Sequence, residues 1–269
     1  MRAFAPLVAA VALVACGQKV DPPGLAPACD PATMDCRSTG NPQIGSGNGN
    51  AAGADSGGDA VATVTGQVLA FGDDYFDQGT TFAGKAQVSA TGESSSRVTG
   101  AYDGTSFQLD GVLKTAVNWF LVEPEGTGTL PTLTPVDTRT TKSDALVVGL
   151  ASSIDLDGMY GNSGTDRALE RAQVVLHVVD EQNRSVPGMK GVISATPELT
   201  EYRLASAWVK DDAGTGSTDD SGMIFFGNVQ AGSSLTKASV TLSGAATSRA
   251  DLDIKVGAVT VVTVIVAGK

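Results

Sequence analysis

The sequence predicts an all-β chain, with two small β-sandwiches in tandem behind a disordered N-terminal tether. Three observations predict it. From Val61 onward apolar and polar residues alternate with period two, glycine and other turn residues interrupt that alternation at short intervals, and two stretches of the chain are versions of one another. The organisation read from these signals is an N-terminal leader over 1–15, a tether over 16–60, a first sandwich over 61–124, a connector over 125–171 and a second sandwich over 172–269.

The leader opens with Met1-Arg2, a single positive charge, followed by an almost wholly apolar run from Ala3 to Val14. That length suits a signal peptide and is too short to span a bilayer. The run ends in Leu13-Val14-Ala15-Cys16, which resembles the bacterial lipobox. The resemblance implies cleavage before Cys16 and covalent lipid on that cysteine, so the chain would be anchored to a membrane without crossing it. Gly17 follows, where Asp marks inner-membrane retention in Gram-negative lipoproteins, so the same resemblance implies the outer membrane.

From Gly17 to about Ala60 the composition turns to Pro, Gly, Asn, Ser and Asp, and Gly45-Ser46-Gly47-Asn48-Gly49-Asn50 buries too little to offset its ordering entropy. A flexible spacer is expected there. With Cys16 acylated, Cys29 and Cys36 remain as a pair, and an exported chain sits where disulfides form, so a bridge between them is expected. Closing so short a loop contributes about 2 to 3 kcal/mol at most. Two thiols without a nearby histidine are too few for a structural zinc.

The 18 basic and 29 acidic residues give a net charge of -11. Nucleic acid binding needs basic patches to replace counterions, and this balance excludes it as an expectation. The charge suits a self-repelling surface protein.

In the folded part, Val64, Gly66 and Val68 alternate with Thr63, Thr65 and Gln67, and Leu252, Ile254 and Val256 with Asp251, Asp253 and Lys255. Val259 to Val266 is apolar on both faces and is expected to be covered on both, by the opposing sheet and by the other domain or a partner. The repeat pairs Gly84-Lys85-Ala86-Gln87-Val88-Ser89-Ala90-Thr91 with Met189-Lys190-Gly191-Val192-Ile193-Ser194-Ala195-Thr196. A Gly-led strand follows each: Asp103-Gly104 leads to Phe107, Leu109 and Val112, and Ser221-Gly222 to Ile224, Phe226 and Val229. A further apolar strand comes next, Val117 to Val122 in one copy and Ala238 to Leu242 in the other.

These motifs resemble the carboxypeptidase regulatory-like family of small prealbumin-like sandwiches. The second copy carries the pattern from Val174-Val175-Leu176-His177-Val178-Val179-Asp180 through Pro187-Gly188 to Asp219-Asp220-Ser221-Gly222-Met223-Ile224-Phe225-Phe226 and Val229. The first copy has one extra residue between Gly104 and Phe107 and lacks the turn proline. The resemblance implies non-catalytic accessory or surface modules. Pro124 at the entry to the connector, with Pro131 and Pro135 inside it, forbids regular helix there, and Ser143 ahead of Leu146, Val147, Leu150 and Ile154 predicts a short capped helix.

Catalytic chemistry is poorly supplied. The chain has one histidine, His177, read as a half-exposed structural residue, and Gly161-Asn162-Ser163-Gly164 falls one residue short of a nucleophile elbow. The chain is therefore read as no enzyme. For calcium, the weak candidates are Asp211, Asp212, Asp219 and Asp220 around a Gly-Thr-Gly loop, with Asp155, Asp157 and Asp166 around another, and neither set has EF-hand spacing. No other cofactor is expected. Tyr202, Leu204 and Trp208, inside an insertion over 201–218, are read as able to share one strand face for stacking on a sugar or anchoring a protein. Trp119 is read as core. The sequence thus predicts a lipid-anchored, non-catalytic binding or structural module of the outer membrane. Its partner would be an unknown envelope protein or glycan, and a carbohydrate-binding module or an accessory subunit of an envelope complex is the alternative.

Overall fold

The computed structural model describes residues 28–30, 35–37 and 43–45 by their backbone, and 61–72, 79–91, 98–114, 117–138, 146–161 and 163–267 in full. The chain separates into two compact units, Met1–Thr39 and Gly40–Lys269. In the first, β1 (Ala28–Asp30) and β2 (Asp35–Arg37) pair antiparallel with Cys29 directly opposite Cys36. Cys16, the leader and most of the tether lie outside the described residues.

The second unit begins with β3 (Gln43–Gly45). It continues with β4 (Val61–Ala70), β5 (Thr80–Thr81), β6 (Ala86–Thr91), β7 (Val98–Tyr102), β8 (Phe107–Leu113) and β9 (Val117–Pro124). Then follow β10 (Thr129–Leu130), β11 (Thr132–Asp137), β12 (Leu146–Ser152) and the one helix, α1 (Ser153–Tyr160). The rest is β13 (Ala172–Val179), β14 (Lys190–Ile193), β15 (Leu199–Leu204), β16 (Ala207–Lys210), β17 (Met223–Val229), β18 (Thr236–Ser243), β19 (Ser248–Ile254) and β20 (Val259–Ile265). The chain is an all-β protein, as the alternation and turn density predict. Among the described residues no helix is long and apolar enough to cross a membrane.

The strand pairings reveal a duplicated topology. β4 pairs antiparallel with β8 as β13 does with β17, and β6 pairs with β9 as β14 does with β18. β9 pairs with β11 as β18 does with β19, and the closing strands β12 and β20 each run parallel to the opening strand of their own copy. The first copy therefore extends to Ser152, and the stretch 125–171 supplies three of its strands, β10, β11 and β12. Pro135 in β11 is compatible with this because β11 meets β20 only at Thr132 and Leu133, leaving the proline beyond that ladder. β7 and β15 hold the same place beside β8 and β17, but β7 also pairs with β6, whereas β15 pairs with the extra strand β16.

Each copy has its own core. Val64, Val88, Tyr102, Phe107, Leu109 and Leu146 belong to the first; Leu176, Ile224, Phe226, Val240, Leu252 and Val262 belong to the second. β9 is apolar on both faces and joins them: Phe120 and Val122 enter the first core, Trp119 and Leu121 the second. The two turn glycines that open the aromatic strands, Gly104 and Gly222, have φ of 101° and 67°, where a Cβ is strained.

β20 is covered on both faces, as its composition predicts. Val262 and Val264 face the second core, while Val259 and Val261 lie under Leu156, Met159 and Tyr160 of α1, joined by Phe71 and Leu130 from the first copy. Burying a side chain of this kind contributes roughly 1.5 to 3 kcal/mol.

The helix predicted from Ser143 is corrected. Ser143 lies outside the described residues, Leu146 to Ser152 form β12, and the helix starts at Ser153 with Ser152 as its cap. The β-branched Val147 and Val148 pair in parallel register with Gln67 and Val68, and Phe71 packs so closely on Gly149 that a Cβ there would overlap its ring. Parallel pairing and that contact outweigh the local helix signal.

Candidate functional site

The insertion of the second copy is the β15–β16 hairpin and the loop that follows it. Arg203 stands opposite Trp208, Tyr202 opposite Val209 and Leu204 opposite Ala207. Opposed residues share a sheet face, so Tyr202, Leu204 and Val209 lie on one face and Glu201, Arg203, Trp208 and Lys210 on the other. The structure does not bring Tyr202, Leu204 and Trp208 onto one face. The tight turn reverses the parity that the sequence reading assumed.

Tyr202 is buried with the second core, and its hydroxyl accepts the Gly191 N–H at 3.2 Å. Leu204 is 41% exposed and Val209 44%. With Lys210, Asp211 and Asp212 they line a shallow groove of about 260 Å³ whose floor includes Tyr202. The groove therefore has apolar walls and a charged rim. Such a shape can seat an apolar side chain of a partner beside a hydrogen-bonding group.

Two of the four acidic residues around the loop, Asp211 and Asp219, are committed to the backbone. Asp211 Oδ1 accepts the N–H groups of Thr215 and Gly216 at 2.9 Å each, Asp212 pairs with Lys210 at 3.0 Å, and Asp219 accepts the Ala205 and Ser221 N–H groups. Asp220 is exposed. In the other stretch, Asp155 lies in the first turn of α1, Asp157 pairs with Arg167 at 2.7 Å, and Asp166 contributes its carbonyl oxygen to Asn228 Nδ2. Among the described residues no three His, Cys, Asp or Glu side chains gather as a cation site.

The other hairpin face is the more unusual chemically. Trp208 packs edge-on to Phe225 with ring centroids 6.0 Å apart, and Phe225 in turn meets Tyr160 of α1 at 5.4 Å. Glu201 lies opposite Phe225 and Lys210, with no exposed surface, and among the described residues neither carboxylate oxygen has a hydrogen-bond partner. Burial pushes its pKa up to about 7, against a smaller opposing pull from Lys210. His177, half-buried on β13, holds Ser185 Oγ at 2.8 Å, and burial lowers its pKa to about 4.

Beneath α1 a polar hub ties the helix to the second sandwich. The Tyr160 hydroxyl donates to Gln173 Oε1 and accepts the Asn228 N–H at 3.0 Å, while Asn228 Nδ2 donates to Glu198 Oε2 at 3.0 Å. Burial raises the Tyr160 pKa far above its usual value. Sequence reasoning missed this hub and Glu201. Alternation alone places Glu201 on an outer strand face, and only the packing of α1 shows that this face is covered.

No family model matches the chain, and no curated protein matches it. Among solved structures it is similar to a streptococcal ancillary pilin at 11% identity and a TM-score of 0.25, covering 77% of this chain and 69% of that one. It is similar at the same identity and score to the minor pilin GBS52 of Streptococcus agalactiae, covering 77% and 96%. A carbohydrate-binding module of family CBM26 from Eubacterium rectale Amy13K, solved with maltoheptaose, matches at 10% identity and a TM-score of 0.24, covering 77% and 94%. Overlaps of this size assign no family.

Proposed function

We propose that the chain is a lipid-anchored protein of the bacterial outer membrane that presents a tandem of prealbumin-like, carboxypeptidase regulatory-like sandwiches as a non-catalytic binding or structural module. Acyl chains on Cys16 hold it to the membrane, the tether lifts it away, and a Cys29–Cys36 disulfide staples the tether. The observation that carries the reading is the duplicated seven-stranded sandwich placed downstream of Leu13-Val14-Ala15-Cys16. The carboxylates weighed as metal or catalytic groups are largely engaged in turns and ion pairs, which supports a module that binds without turning over a substrate.

The partner is an envelope protein that seats an apolar side chain in the groove between Leu204, Val209 and the Asp211 loop. Separation of Tyr202 from Trp208 speaks against a sugar-stacking strip. The test is crosslinking on intact cells followed by affinity capture and parallel analysis of proteins and glycans. A stoichiometric protein partner lost in a Leu204→Asp, Val209→Asp variant supports the reading. Enrichment of glycan with no protein would replace it with a carbohydrate-binding module.

A further inference from the structure

The carboxylate of Glu201 is sealed between the β15–β16 hairpin and the aromatic layer under α1, and among the described residues nothing donates a hydrogen bond to it. An ionised carboxylate in that position lacks both water and donors, a strongly disfavoured state. Two responses are open to it: it keeps its proton, or the structure opens to admit water.

The charged and titratable groups around it do not offer a third. Lys210, opposite on β16, is paired with Asp212. Arg203, on the same strand face, donates to the Met223 sulfur at 3.6 Å. β17 presents Phe225 and Met223. From α1 comes Tyr160, bound to Gln173 and Asn228, and from β13 His177, bound to Ser185. Glu198, ahead of β15, is engaged by Asn228 and lies 3.9 Å from Arg171.

Opening is cheapest at the hairpin. β16 is the last strand of its sheet with β15 as its neighbour, and β15 is held to β17 by four residue pairs. Edge elements with few ladder bonds have the lowest local opening free energies. Tyr202 is held in the second core on the opposite face and Glu201 is paired beside it, so the opening is carried by β16 and the turn while β15 stays on β17 and the sandwich cores need not move.

We propose that the β15–β16 hairpin is a proton-sensitive flap, closed over the Phe225 layer while Glu201 is protonated and lifted when Glu201 ionises, exposing Trp208 and reshaping the groove on its other face. The raised pKa of Glu201, about 7, places the transition near neutral pH. The inference stands on the hairpin alone and does not need the partner named above.

The test is acrylamide quenching of tryptophan fluorescence in the full chain across pH, since Trp119 is 6% exposed and contributes little quenching. Between about pH 5 and about pH 9 the Trp208 signal is expected to become roughly threefold more quenchable, with Glu201→Gln remaining protected throughout. Hydrogen exchange at Ala207–Lys210, corrected for intrinsic rates, follows the same profile. Glu201→Leu, which has no proton to lose, repeats the protected behaviour independently of the amide. An identical pH profile in wild type and both variants, or no change in the wild type, overturns the proposal.

Discussion

Tyr202 and Trp208 project from opposite faces of one hairpin, Tyr202 into the second core and Trp208 onto Phe225. The hairpin thus joins a groove on one side to a sealed aromatic layer on the other. Trp208→Ala is expected to lower stability by about 1 to 3 kcal/mol through lost aromatic packing, measured by chemical denaturation, while leaving binding by the groove face intact. Loss of partner capture at unchanged stability would instead make Trp208 a contact residue.

Two titratable groups, Glu201 buried and His177 half-buried, give opposing pH dependences. Glu201 has its folded pKa raised from 4.5 to about 7, so the stability it contributes is full below its unfolded value and is lost as pH rises to about 7. His177 has its folded pKa lowered from 6.5 to about 4, so its contribution is present above 6.5 and is lost as pH falls toward 4. Across the overlapping window the wild type is expected to show a shallow stability profile. Glu201→Gln removes the first slope, and its stability should rise with pH between those His177 limits; His177→Gln should show the converse. Denaturation midpoints at several pH values check both signs.

Tyr160→Phe removes the hydroxyl that links Gln173 to the Asn228 N–H beneath α1. A loss of about 1 to 3 kcal/mol is expected, from a hub left partly unsatisfied in a buried site. Thermal unfolding measures it, and protection from exchange should fall first in Ser153–Tyr160.

Addition of calcium is expected to leave the melting temperature unchanged. Asp211 and Asp219 already accept backbone N–H groups, and removing those bonds to coordinate a cation would undo the loop over the groove. A calcium-dependent rise in melting temperature abolished by Asp211→Asn would show a cation site.

Much of the fold was legible because its signals are local. Period-two alternation found most strands, and the paired Gly104 and Gly222 motifs found the duplication, since positive φ at a turn needs glycine. The closing strands of the first copy were not legible: Pro131 and Pro135 read as loop, and Val147 with Leu150 read as helix, until β12 is seen running parallel to β4. The site was legible in composition and not in geometry. Tyr202, Leu204 and the Asp211 loop do meet in a groove, but the side of Trp208 depends on the length of one turn. Glu201 is buried on the face where Phe225 meets α1, a helix more than forty residues earlier in the chain.

Cys29 and Cys36 face each other in the β1–β2 register, an arrangement in which opposed Cα atoms approach to roughly 4.5 to 5.5 Å, within disulfide range. Protein purified from its native envelope without reductant is expected to carry this bridge, read as a mass about 2 Da below that of the reduced chain. Quantitative alkylation of both cysteines without reduction would show free thiols.

The most direct test of lipid anchoring at Cys16 is membrane fractionation of cells expressing the wild type or Cys16→Ala, with an alkyne fatty acid label. A labelled wild type in the outer-membrane fraction and an unlabelled Cys16→Ala chain released from it are expected. An unlabelled wild type, or a Cys16→Ala chain that remains with the membrane, would contradict it.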